Sequence, residues 1–272
     1  DKKHEIYDED IIRLSNNITL TGDSSDNQPT ETDGYEATVK DMTIHTTVAG
    51  GTNNVALKFT NDFTAGVNDP SVVCTNLHIT GGLPSAYWYT CIHLIDCPQV
   101  KMSHLFINGE VNLINGAATT NLTRTGTERG IYITTTNSAT EYHLDNSNIF
   151  FCVNGILIDG DGGTHKRDSE GYYVTSCGMV ACKYGIHSDQ VNTALGLQLI
   201  NSHLSCQISN VVGFFTQAFV NNCLLYNRPE SPDNNAMLHF ASNGFLGLQD
   251  AAGNTANMQS FIITRNQFLH KK

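Results

Sequence analysis

The feature that most constrains this chain is a six-residue pattern: apolar, two residues, a small or polar corner, one residue, apolar. It occurs as VKDMTI (39–44), VVCTNL (72–77), VKMSHL (100–105), LDNSNI (144–149), VTSCGM (174–179), LINSHL (199–204), FVNNCL (219–224) and ITRNQF (263–268). Within LGLQLINSHLSCQ (195–207), apolar and polar residues alternate up to the corner and resume alternating straight after it. Alternation is the signature of a half-buried strand, and residues such as Asn tolerate the left-handed backbone that a sharp bend needs. The pattern therefore reads as strand, bend, strand. Its copies end at 44, 77, 105, 149, 179, 204, 224 and 268, so the bend is constant while the connections vary.

A second pattern lies between successive bends: VALKF (55–59), CIHLI (91–95), GIYIT (130–134), GILID (155–159), GIHSD (185–189), VGFFT (212–216) and MLHFA (237–241). Each cycle thus holds three short strands, two of them meeting at the corner. Three strands per coil of ~20–30 residues is the layout of a right-handed parallel β-helix, in which every coil bonds to its neighbours and all bury one continuous column. The fold expected is an all-β, single-stranded right-handed parallel β-helix with variable loops over 37–272, preceded by an irregular lead-in and first partial coil over 1–36. Strong hairpin signals and long amphipathic helices, which a sandwich or an α/β fold would need, are lacking. His104 and His203, each just before the last apolar residue of its motif, are expected to recur at one position of the coil as surface residues.

Charge and cysteine usage narrow the partners. The formal net charge is −11 and the pI near 5.3, which gives a nucleic acid no electrostatic reason to approach. No stretch approaches the ~18 uninterrupted apolar residues of a membrane span, so membrane insertion is not expected. The eight cysteines contain no C-x-x-C pair and mostly fall within strand patterns. They read as reduced core thiols, which points to folding in a reducing cytoplasm. Neither a metal site nor a cofactor is expected.

The corner motif, together with CIHLIDCPQVKMSHLFING and GLQLINSHLSC, resembles the pectate-lyase-like β-helix superfamily over roughly residues 37 to 270. That superfamily includes pectinases, polysaccharide lyases, sugar epimerases and bacteriophage tailspike depolymerases. The Asn-Thr-Asp, Gly-His-Gly and Arg-Ile-Lys signatures of polygalacturonases and the Trp-Ile-Asp-His run of pectate lyases are missing. The Asn-, Thr- and Ser-rich composition and free cysteines are most similar to a tailspike body. The resemblance implies binding and cleavage of a bacterial surface polysaccharide, a parallel homotrimer, and a place on a virion tail or outside the cell. A non-catalytic adhesin or structural shaft and a polysaccharide lyase are the alternatives. The chain begins at Asp1 and stops at QFLHKK straight after a strand pattern. In such a coil, a further domain or neighbouring chains are expected to cover the end.

Side chains alternate across the second pattern. With Val55, Ile92, Ile131, Ile156, Ile186 and Val212 as one inward column, Ala56, His93, Tyr132, Leu157, His187 and Gly213 face outward. The next outward column is then Lys58, Ile95, Thr134, Asp159, Asp189 and Phe215. Coils lie ~4.8 Å apart, so Asp159 and Asp189 should stack beside His187. Two such carboxylates repel, which raises one pKa and divides them into an acid and a base or nucleophile, as glycoside hydrolysis requires. Asp159 and Asp189 are the expected catalytic pair, with Asp161 as a substitute partner. His187, Tyr132 and His93 would hydrogen-bond to or stack on sugar. The excursion 108–130 adds Glu110, Arg124, Glu128 and Arg129 as groove walls, Glu110 or Glu128 being a candidate third carboxylate. Strand-end aspartates are also ordinary turn formers, and the loop DGDGGTHKRDSE (159–170) lacks the ligand spacing of a calcium loop.

Overall fold

The computed structural model describes residues 4–7, 11–14, 18–22, 36–46, 51, 54–61, 71–81, 86–109, 126–135, 139–160, 169–189, 196–215, 217–227, 236–241, 247–249, 255–257 and 260–269. Among these the chain is all-β, without a helix and hence without a helix long and apolar enough to cross a membrane. Its strands line up in three parallel ladders. The first contains Gln99–Ser103, Ala139–Asp145, Ser169–Thr175, Gly196–Ile200, Gln217–Asn221 and Ser260–Thr264. The second, beyond the corner, contains Phe106–Asn108, Asn148–Phe150, Gly178–Val180, His203–Cys206, Leu224–Asn227 and Gln267–Leu269. Two longer strands, Glu36–Thr46 and Ser71–Gly81, run through the corner and serve both ladders.

The third ladder stacks Ile18–Gly22, Val55–Asn61, Thr90–Ile95, Arg129–Thr135, Asn154–Gly160, Tyr184–Ser188, Ser209–Phe214 and Leu238–Ala241. From Arg129–Thr135 to Ser209–Phe214, every strand pairs with the third strand before it and the third after it in chain order. These long all-parallel sheets are consistent with a parallel β-helix. The ladders already begin in the expected lead-in, where His4–Tyr7 and Ile11–Leu14 pair with the two halves of Glu36–Thr46. The only antiparallel pair among the described residues, Gly247–Gln249 with Thr255–Asn257, is a local hairpin in the long excursion before the last coil.

The corner has one backbone solution. Asp41, Asn76, His104, Asn146, Ser176, Asn201, Asn222 and Arg265 all have φ between 47° and 55°, in the left-handed region where Asn and Asp are enriched. Two pairs of neighbouring corners are tied by side chains: Asn76 Nδ2 donates to Asp41 Oδ1 at 2.9 Å, and Asn222 Nδ2 to Asn201 Oδ1 at 2.8 Å. The next residue turns inward. There Ser147 and Ser202 accept from the Leu105 and Cys177 N–H groups, and Asn266 Oδ1 accepts from the Cys223 N–H. These polar groups, buried at Ser147 and Ser202, satisfy backbone donors that the bend removes from the ladders.

Register corrects three of the eight motif copies. The stacked column is Ile44, Ile79, Ile107, Ile149, Met179, Leu204, Leu225 and Phe268. Residues 149, 179 and 204 stack as the motif requires, whereas 77, 105 and 224 give way to 79, 107 and 225. Leu77 and Leu105 are buried too, but directly after the corner residue, where later coils carry Ser147, Cys177 and Ser202. An extra apolar residue at the bend had disguised the phase. His104 and His203 consequently do not share a position: His104 is itself a corner residue, while His203 is level with Gly178 and Leu224 on the second ladder.

The core fills the space between the ladders. Ile149, Leu199, Leu204 and Met179 are fully buried, each apolar side chain contributing about 1.5–3 kcal/mol. Tyr142 and Tyr172 stack inside it with ring centroids 5.1 Å apart and planes 8° from parallel. All eight cysteines are free and buried. Cys177 and Cys223 lie against the preceding coil with Sγ near the Leu144 and Leu199 carbonyls.

Candidate functional site

The outward face of the third ladder carries the residues expected in the site. In register, its first outward column reads Lys58, His93, Tyr132, Leu157, His187 and Val212. The middle of the expected column holds and both ends move. Leu57 rather than Val55 pairs with Ile92, and Val211 rather than Val212 pairs with Ile186. Ala56, expected outside, is fully buried, and so is Phe215. Two doublets, Val-Val and Phe-Phe, surround Gly213 and hide the alternation. Gly213 has φ 120°, and a Cβ there would run into the Ser188 carbonyl.

The second outward column aligns Thr60, Ile95, Thr134 and Asp159. One coil further, the Asp189 N–H donates to the Ile158 carbonyl at 2.8 Å. The ladder therefore continues past Ser188, and Asp189 follows Asp159 on the neighbouring rung. Asp159 is half-buried, and the Asp189 side chain is 63% exposed.

Around these carboxylates the side chains interlock. Tyr132 Oη donates to Asp159 Oδ2 at 2.9 Å. Burial, then the hydrogen bond and charge of Asp159, push the Tyr132 hydroxyl up to about 12, so it remains a donor across the neutral range. His93 stacks on the Tyr132 ring at 4.5 Å and 26°, and its Nε2 is hydrogen-bonded to Thr134 Oγ1 at 3.1 Å. Burial, with Lys58 and Arg129 nearby, lowers the His93 pKa to about 4, leaving a neutral ring. The Arg129 guanidinium carbon lies 4.1 Å from the Tyr132 ring centre and 5.2 Å from that of Tyr89, a cation–π sandwich.

His187 occupies the same face beyond Leu157. Its Nδ1 is hydrogen-bonded to Asn154 Oδ1 at 3.0 Å, and its Nε2 lies 3.9 Å from Asp189 Oδ1. Burial lowers its pKa, against the opposing pull of Asp189 and Asp159. Asn154, only 4% exposed, extends Nδ2 to Glu128 Oε1 at 3.4 Å. Of the residues expected in the site, Asp159, Asp189, His187, Tyr132, His93 and Arg129 thus share one outward face. Glu110, Arg124 and Asp161 lie outside the described residues.

No protein-family model, curated protein or solved structure matches the chain. Its chemistry is therefore read from these side chains alone. Two carboxylates on adjacent rungs, one held by a phenol, can divide proton donation and acceptance. A neutral imidazole can hydrogen-bond to hydroxyls, and the exposed parts of the aromatic rings can pack on sugar rings. Among the described residues no three His, Cys, Asp or Glu side chains gather to hold a metal ion.

Sequence patterns alone missed Asn154, Tyr89 and Tyr184. The Tyr184 ring centre lies 5.1 Å from that of His187. Asn154 is the outstanding omission, because it is a buried polar residue at the start of a strand. The only signal for it was its place ahead of Gly155, the glycine that opens GILID and at which a Cβ would meet the Gly185 carbonyl.

Proposed function

We propose that the chain binds a bacterial surface polysaccharide along the outward face of the third ladder and hydrolyses a glycosidic bond there, in the manner of a tailspike depolymerase. The observation that carries this reading is the arrangement of Asp159 and Asp189 on neighbouring rungs, with the Tyr132 hydroxyl on one and the His187 imidazole beside the other. Asp159 serves as the acid: Oδ2 accepts from Tyr132 while the other oxygen offers its proton to the leaving sugar oxygen. Asp189 faces the water side. His93, Tyr132 and Arg129 line the groove for the glycan. The parallel homotrimer and the virion-tail location belong to the same proposal and rest on the resemblance of the corner motifs to tailspike bodies.

The test is incubation of the protein with capsular or O-antigen polysaccharide, following new reducing ends. Asp159→Asn and Asp189→Asn should each slow cleavage by about 10²–10⁴-fold. Full activity in both would remove the carboxylate pair. Ultraviolet absorbance from an unsaturated uronate would make the protein a lyase, and binding without cleavage would make it an adhesin.

A further inference from the structure

The hydrogen bonds behind His187 specify which of its nitrogens carries the proton. A glutamate carboxylate only accepts. The Asn154 group facing Glu128 Oε1, 3.4 Å away, is therefore its NH₂, which turns Oδ1 toward His187. An amide oxygen only accepts as well, so the proton of the neutral imidazole sits on Nδ1, 3.0 Å from Asn154 Oδ1. Nε2 is left with its lone pair, 3.9 Å from Asp189 Oδ1. Two acceptors at that separation do not bond to each other. A water between them, with its two O–H donors, can reach both.

We propose that His187 Nε2 is the proton acceptor of the site and that Asn154 and Glu128 are positioning residues that hold it in this tautomer. This rests on the glycan reading of the same face and assigns the base within it. The water held between His187 Nε2 and Asp189 Oδ1 gives one proton to Nε2 as its oxygen bonds to the anomeric carbon. The glycosidic C–O bond breaks, and the leaving oxygen takes the proton of the Asp159 carboxyl. The imidazolium is stabilised by Asp189, and its proton returns through solvent to Asp159, so each cycle consumes one water. Burial keeps the resting ring neutral, as a base must be.

The experiment is ¹⁵N NMR of the intact protein labelled at histidine, with the His187 signals assigned by their loss in His187→Gln. At neutral pH the wild type should show the Nδ1–H tautomer, with Nε2 in the unprotonated range. In Glu128→Gln, which keeps the shape, the side-chain amide can donate or accept; Asn154 is released to flip, and the two tautomers should mix. On a polysaccharide that the wild type cleaves, this variant should lose about tenfold in kcat with little change in KM. An Nε2–H tautomer in the wild type, or an unchanged single tautomer in Glu128→Gln, overturns the relay whatever the activity. A correct tautomer in a protein that cleaves no glycan overturns the catalytic role together with the glycan reading, while the relay itself stands.

Discussion

Tyr132 donates a 2.9 Å hydrogen bond to Asp159 across neighbouring rungs, joining residues 27 apart in the chain. The contact exists because Thr134 and Asp159 are register partners, and Tyr132 lies two residues upstream on the same outward face. Tyr132→Phe keeps the ring under Arg129 and His93 but removes this bond. It should lower stability by about 0.5–1.5 kcal/mol in urea titration, as expected for one side-chain hydrogen bond. No loss would mean that the hydroxyl is bonded to solvent instead.

The neutral His93 makes stability pH-dependent. Its folded pKa is lowered from 6.5 to about 4, so between those values the unfolded chain binds a proton that the folded chain refuses. Its contribution is present above pH 6.5 and is lost as pH falls toward 4. Wild-type protein should lose on the order of 1–2 kcal/mol more than His93→Gln between pH 7 and pH 4, solvent screening having reduced the full effect. Equal losses would contradict the buried, cation-flanked ring.

The alternation in LGLQLINSHLSCQ predicts opposite outcomes at adjacent positions. Leu199 is fully buried and Gln198 exposed. Leu199→Ala should cost about 2–5 kcal/mol, and Gln198→Ala should stay within about 0.5 kcal/mol. Denaturant midpoints at unchanged slope are the measurement, and a reversed order would mean the strand is turned over.

The corner is testable at Asn201, where φ is 51°. Asn201→Val should cost about 2 kcal/mol, because a β-branched residue is a poor fit to the left-handed region, while Asn201→Gly should be nearly neutral. A well-tolerated valine would show that the bend relaxes into another backbone shape.

How much was legible in the sequence follows from how local each signal is. Period-two alternation and a small polar bend are properties of six residues, so strands and corners could be read wherever one apolar phase dominated, as in LDNSNI and LINSHL. Phase was lost where neighbouring residues were both apolar. Leu77 and Leu105 next to the bend, Val211 beside Val212, and the shared SHL tripeptide of His104 and His203 each permit two registers. Only the bonding of neighbouring coils selects between them. The convergence of Asp159, Asp189, His187 and Tyr132 was readable because their strands, GIYIT, GILID and GIHSD, share an unambiguous Gly-Ile start. Asn154 was not, nor was the role of Glu128 behind it, since both depend on side-chain hydrogen bonds that no spacing encodes.

The register of the third ladder positions every residue of the site, and disulfide trapping measures it directly. Thr134→Cys with Asp159→Cys places two outward thiols at paired positions, within the ~4.4–6.8 Å Cα range that a disulfide spans. Thr134→Cys with Leu157→Cys sets them two residues out of step, ~7–8 Å apart on the diagonal. After mild oxidation and unfolding, the first variant should titrate with two thiols fewer than its reduced form, and the second should lose none. Cross-linking only in the second variant would contradict the register and the site built on it.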